Sequence, residues 1–168
     1  MTRKRKGVEQ MERKVFLTIM VVIVAVLCVI LCILDFAEAE DLYVLCSTKV
    51  NIRSRPNKTA PVVAWIECGQ TVHPDGKEKN GFIHVVDLPA ETTEGWIYAG
   101  FLVDDQPVIR TYRAEVWEGD VIARASVNGK RVTKLREGRI VTVYARNHTW
   151  AVTNKGYIMC DWLKEVDE

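Results

Sequence analysis

Residues 15–34 (VFLTIMVVIVAVLCVILCIL) carry no charge and one clearly polar side chain, Thr18, and they follow directly on a basic head. At the rise of an α-helix a run of this length reaches about 30 Å, the thickness of a bilayer's hydrocarbon core, so it predicts one membrane-spanning helix. It also limits everything else. At most about 130 residues remain to fold in water, enough for one ordinary domain or two very small ones.

Arg3, Lys4, Arg5, Lys6, Arg13 and Lys14 against Glu9 and Glu12 give the first 14 residues a net charge of +4. A cationic flank before an apolar run marks the cytoplasmic side, so residues 1–14 are expected inside and the chain after residue 34 outside, in a single-pass cell-membrane protein. After residue 14 there remain 17 basic and 20 acidic groups, net −3. That balance excludes nucleic acid as the expected partner, because neutralising phosphates takes clustered Lys and Arg. Ala37-Glu38-Ala39 offers the small-x-small pattern of signal peptidase, which makes secretion after cleavage behind Ala39 the alternative. The apolar run exceeds the roughly 7 to 15 residues of a signal core, and no Pro or Gly from Ile33 to Phe36 breaks it; both features favour an uncleaved anchor.

Of five cysteines, Cys28 and Cys32 lie in the apolar run and Cys46, Cys68 and Cys160 beyond it. An odd number permits at most one internal disulfide. A Cys46–Cys68 bridge is one reading, and three free thiols are the favoured one. His73, His84 and His148 stand singly, with no Cys-x-x-Cys or His-x-x-x-His, so neither a metal nor a cofactor is expected.

From Tyr43 onward the pattern is all-β. Tyr43-Val44-Leu45, Pro61 to Ile66, Thr71-Val72, Phe82 to Val86 and Gly95 to Tyr98 are rich in β-branched and aromatic residues, and turn chemistry such as Arg55-Pro56-Asn57, Pro74-Asp75-Gly76 and Asn80-Gly81 separates them. The pattern then recurs. Cys68-Gly69-Gln70 before Thr71-Val72 is matched by Glu137-Gly138-Arg139 before Ile140-Val141, and Glu94-Gly95-Trp96-Ile97 by Lys155-Gly156-Tyr157-Ile158. Two features in one order and at similar spacing argue for duplication. The expected organisation is a linker at 35–41, module one at 42–104, a short linker at 105–109 stiffened by Pro107, and module two at 110–166.

Val50-Asn51-Ile52-Arg53-Ser54-Arg55-Pro56, the turn glycine Gly69, and Gly95-Trp96-Ile97 with a closing Phe101-Leu102 resemble the bacterial SH3 family of extracytoplasmic small barrels. Module two resembles it in its latter half. At the first motif it reads Val121-Ile122-Ala123-Arg124-Ala125-Ser126-Val127, keeping an Arg and losing the Asn and Pro. The resemblance implies two SH3-like barrels in tandem behind the N-terminal transmembrane helix. In barrels this small each large ring counts, so Trp96 and Tyr157 are expected in the cores. Five Trp exceed what two such cores readily bury, so one or two of Trp65, Trp117, Trp150 and Trp162 are expected on an exposed groove.

Catalytic settings are missing. There is no Gly-x-Ser-x-Gly and no Gly-rich phosphate loop, and no space for the papain-like domains that often accompany bacterial SH3 modules, so no enzyme is expected. The features that point to binding are Asn51, Arg53, Arg55 and Pro56 on an expected surface loop, with Lys49 and Lys58 beside them, and the aromatic surfaces of Trp65 and Trp117. Such a set suits carboxylate-bearing peptides or anionic polymers. The expected function is a non-enzymatic module contacting the bacterial cell envelope, with peptidoglycan or its peptides as partner; the alternative is a scaffold subunit that binds another envelope protein.

Overall fold

The computed structural model describes residues 16–26, 40–88 and 92–166. Residues 16–26 are helical, and among the described residues no helix is long and apolar enough to cross a membrane; the rest of the expected span 15–34, like residues 1–14, lies outside them. Ala39–Glu168 form one compact unit.

That unit is all-β. Seven strands come first: β1 (Leu42–Val44), β2 (Lys49–Arg53), β3 (Val62–Glu67), β4 (Thr71–Lys79), β5 (Phe82–Val86), β6 (Glu94–Tyr98) and β7 (Leu102–Val103). Seven more follow: β8 (Val108–Val116), β9 (Val121–Arg124), β10 (Arg131–Leu135), β11 (Ile140–Arg146), β12 (Trp150–Thr153), β13 (Gly156–Met159) and β14 (Leu163–Glu165). The first sheet runs β3-β2-β6-β5-β4-β1-β7 and the second β10-β9-β13-β12-β11-β8-β14, the same order strand for strand.

Neither sheet closes, which corrects the expectation of barrels. Among the described residues no ladder joins β3 to β7. The two residues of β7 are taken up by pairing with β1, Tyr43 opposite Val103 and Val44 opposite Leu102. The first sheet still wraps far enough for one core to draw on both of its ends, with Ile66 of β3 and Leu102 of β7 in the same cluster as Val72 and Ile97. An equivalent cluster in the second half gathers Ala114, Val121, Val141 and Ile158.

Local chemistry explains the turns. Asn80 (φ 55°) and Gly81 (φ 75°) make the two-residue connection from β4 to β5, where paired positive φ values match the strand twist. Gly95 is where the backbone of β6 meets β2: a Cβ there would lie 2.4 Å from Ile52 Cγ2. Gly156 repeats the approach, with φ 117° and Arg124 O 2.4 Å from a Cβ position.

A third core lies between the halves. Leu45 and Val103 from the first pack with Ala145, Trp150, Val152 and Tyr157 from the second. This explains β12, whose four residues are all buried. Ala151 faces its own sheet's core, while Trp150 and Val152 face the other half, so the usual in-and-out alternation disappears. Val127 N donates to Gly100 O at 2.9 Å across the same seam, and Asp105 accepts from Asn147 Nδ2 at 2.7 Å, tying the connecting segment to the second half.

Candidate functional site

Lys49 to Arg53 is a strand, β2, and not the surface loop expected from its sequence. Val50 and Ile52 are buried while Lys49 and Asn51 are exposed, the alternation a half-buried strand requires. The outward row of β2 forms one wall of a groove of about 610 Å³ between the two halves. Phe82, Tyr98 and Phe101 continue it on the first half, and Ser126, Lys130, Thr153 and Tyr157 complete it from the second.

Two properties define this groove. Its floor is a row of rings. Phe82 meets Tyr98 edge-on at 5.5 Å, Tyr98 meets Phe101 at 5.7 Å, and Phe101 meets Tyr157 at 6.3 Å, so the row passes from one half to the other. Its charge has one sign: among the described residues Lys49, Arg53, Lys58 and Lys130 line it, and no carboxylate does. Among the described residues the salt bridges engage other cations, such as Lys77 with Asp75, Lys134 with Asp120 and Arg110 with Glu165, and none of these four. Lys58 Nζ sits 5.2 Å from the Tyr98 ring centre and Lys49 Nζ 4.4 Å from that of Trp65, so both cations are held by aromatic faces and keep their charge available. A second hollow, about 520 Å³ over Lys134, Arg136 and Arg139, also carries Glu137 and is partly neutralised.

Arg53 has a prior engagement. Its Nη1 donates to Ala60 O at 2.7 Å, which pins the β2–β3 loop from within. Arg124 does the same in the second half, donating to Gly129 O at 2.9 Å. The two arginines are equivalent by register, since Arg53 pairs with Trp96 and Arg124 with Tyr157. In each half the Arg at this register holds its own loop from within.

The other expected site residues separate. Asn51 lines the groove opposite Trp65 in the β2–β3 ladder. Arg55 is exposed on the loop outside the groove. The Pro56 carbonyl accepts from Asn80 Nδ2 at 3.2 Å, fixing the loop to the β4–β5 turn. Trp65 is 54% exposed on edge strand β3, outside the groove wall but joined to it through Lys49. Trp117 is 49% exposed in the second half, its indole N–H donating to Asp161 O, away from the groove. Tyr157 is buried in the inter-half core. Trp96 is half-buried and lies outside the core clusters, packed edge-on to His84 at 4.9 Å, while Trp150 is buried. The sequence reading missed the ring row. Its trace was there in β6, where Tyr98 stands two residues from Trp96 and therefore on the same outward face.

Cys46, Cys68 and Cys160 are free thiols. Cys46 borders the groove.

No curated protein matches the chain. Among solved structures it is similar to NlpC1 from Trichomonas vaginalis, at 22% identity and a TM-score of 0.32 over 79% of this chain and 50% of that one. It is similar also to NlpC2 from Trichomonas vaginalis, at 20% identity and 0.31 over 78% and 51%. This chain thus spans about half the length of each. At the level of family, residues 48–103 match the bacterial SH3 domain.

Proposed function

We propose that this protein is a non-enzymatic binding module, anchored in the bacterial cell membrane with its β-domains outside, that contacts the cell envelope through the groove between its two halves. Peptidoglycan or its peptides are the ligand. The observation that carries this reading is the groove itself, in a chain whose residues 48–103 match a bacterial SH3 domain: four cations without carboxylate partners along a row of rings. Its volume of about 610 Å³ falls within the roughly 300–1,000 Å³ of ligand sites. Carboxylates of a short peptide would meet the lysines, and its apolar stretches the rings.

The second half is read as another copy of the same domain, on its identical strand order and on the shared duty of Arg53 and Arg124. The anchor rests on the apolar run of residues 15–34 and on the basic residues that precede it.

The test is co-sedimentation of the full-length chain with purified cell-wall sacculi. Binding that Lys58→Ala with Lys130→Ala weakens supports the reading. A chain that stays in the supernatant while a membrane protein co-purifies with it assigns the module to a scaffold instead.

A further inference from the structure

Among the described residues, two of the three free thiols are held against each other by backbone. Val44 N donates to Gln70 O at 3.0 Å, Gly69 N to Val44 O at 2.7 Å and Cys68 N to Thr48 O at 3.0 Å, which locks the segment after β1 to the turn between β3 and β4. Across that lock the Cys46 amide donates to Cys68 Sγ at 3.4 Å. Cys68 is half-buried and so reaches solvent by its own exposure, while Cys46 is buried and borders the groove. Cys160 has a different setting. Its thiol donates to Asn147 O at 3.4 Å, and burial pushes its pKa up.

We propose that Cys46 and Cys68 are a redox-active dithiol, Cys68 supplying the attacking sulfur and Cys46 the resolving one, and that they close reversibly to an intramolecular disulfide by exchange with a disulfide-bearing oxidant. The electrostatics follow the geometry. The Cys46 thiol, and then its amide at 3.4 Å, lie beside the Cys68 sulfur and lower the Cys68 thiol to about 7 against the opposing effect of burial, while the Cys68 sulfur and burial raise Cys46. The thiolate is the nucleophile in disulfide exchange.

The chemistry balances in two displacements. Cys68 S⁻ attacks one sulfur of the oxidant R–S–S–R, forming a mixed disulfide and releasing RS⁻. The Cys46 thiol passes its proton to solvent, and its sulfur attacks Cys68 Sγ, releasing the second RS⁻. Two protein thiols are oxidised, and the oxidant leaves as two thiols once protonated.

The experiment treats the full-length chain with oxidised glutathione at neutral pH, alkylates the remaining thiols and maps the peptides by mass spectrometry. The expected result is a Cys46–Cys68 cross-link that dithiothreitol reverses, with Cys160 still alkylated. Cys68 should also alkylate about tenfold faster than Cys160 in the reduced protein, because a larger fraction of it is thiolate. Cys46→Ser should trap a stable glutathione adduct on Cys68, and Cys68→Ser should leave Cys46 without one. A cross-link through Cys160, or Cys46 and Cys68 both fully alkylated after oxidation, overturns the proposal. So does an adduct on Cys46 in the Cys68→Ser protein. The alkylation comparison is made on the wild-type chain and does not depend on a variant folding.

Discussion

The Tyr157 hydroxyl donates a 2.7 Å hydrogen bond to the carbonyl of Leu45, 112 positions earlier in the chain. Both residues are buried, and the bond joins the two sheets across their shared core. Burial pushes the phenol well above its ordinary pKa, so it remains a donor at any pH a folding experiment uses. Tyr157→Phe keeps the ring and leaves a buried carbonyl short of its donor, which costs about 1 to 3 kcal/mol. The expected outcome in urea unfolding is a lower midpoint with the fold intact, read by tryptophan fluorescence and circular dichroism.

The two Trp best placed to compare core with periphery are Trp150 and Trp96. Trp150 is 7% exposed within the inter-half core, and Trp150→Ala should cost about 3 to 5 kcal/mol. Trp96 packs on His84 with one side open, so Trp96→Ala should cost distinctly less. Thermal melts of the two variants side by side check the order.

Gly156 and Gly95 occupy matching places but resist a methyl group differently. At Gly156 the nearest obstacle is the Arg124 backbone oxygen at 2.4 Å and φ is 117°, whereas at Gly95 it is the buried Ile52 Cγ2 at 2.4 Å, with Arg53 O farther off at 3.3 Å and no left-handed φ added. Gly156→Ala is expected to destabilise by about 1 to 3 kcal/mol through backbone strain, and more than Gly95→Ala does. Chemical denaturation of both variants measures the difference.

Binding and folding should separate between Arg53 and the groove lysines. Arg53→Ala removes the donor to Ala60 O and is expected to loosen the β2–β3 loop, visible as faster amide hydrogen exchange there. Lys58→Ala with Lys130→Ala touches exposed charges, so the melting temperature should hold while sacculus binding weakens and its salt dependence flattens.

Acid should destabilise the first sheet through Asp75. The Lys77 side chain, then His84, hold its carboxylate down to about 2 from an ordinary 3.8. Between those values the folded chain binds fewer protons than the unfolded one. Unfolding therefore takes up protons, and stability present above pH 3.8 is lost as the pH falls toward 2. Asp75→Asn should shrink that acid-sensitive component in a pH series of unfolding midpoints.

Sequence made the strands and turns legible because their signals are local. Asn80-Gly81 dictates a hairpin, and β-branched runs alternate as β2 does with Val50 and Ile52 inward. The likeness of Gly69 to Gly138 was legible because both take nearly the same positive φ, 81° and 78°, and that of Gly95 to Gly156 because each strand passes close to an Arg backbone oxygen, that of Arg53 or of Arg124. What stayed hidden depends on contacts between distant segments. Trp150 and Trp96 look alike in sequence, and only the docking of β12 against Leu45 buries one of them. The structural duty of Arg53 was hidden too, because nothing local to an Arg three residues before Pro56 marks its bond to Ala60. The groove was split in the same way, Lys58 and Lys130 standing 72 residues apart until the halves meet.

The shared core also sets an order in time. A chain emerging from its N-terminus completes β7 at Val103 well before Trp150 and Tyr157 exist. Until they do, Leu45 and Phe101 lie on a bare apolar face, open to chaperones or to a second nascent copy. The first sheet therefore keeps that face uncovered until the 54 residues from Asp104 to Tyr157 have followed Val103.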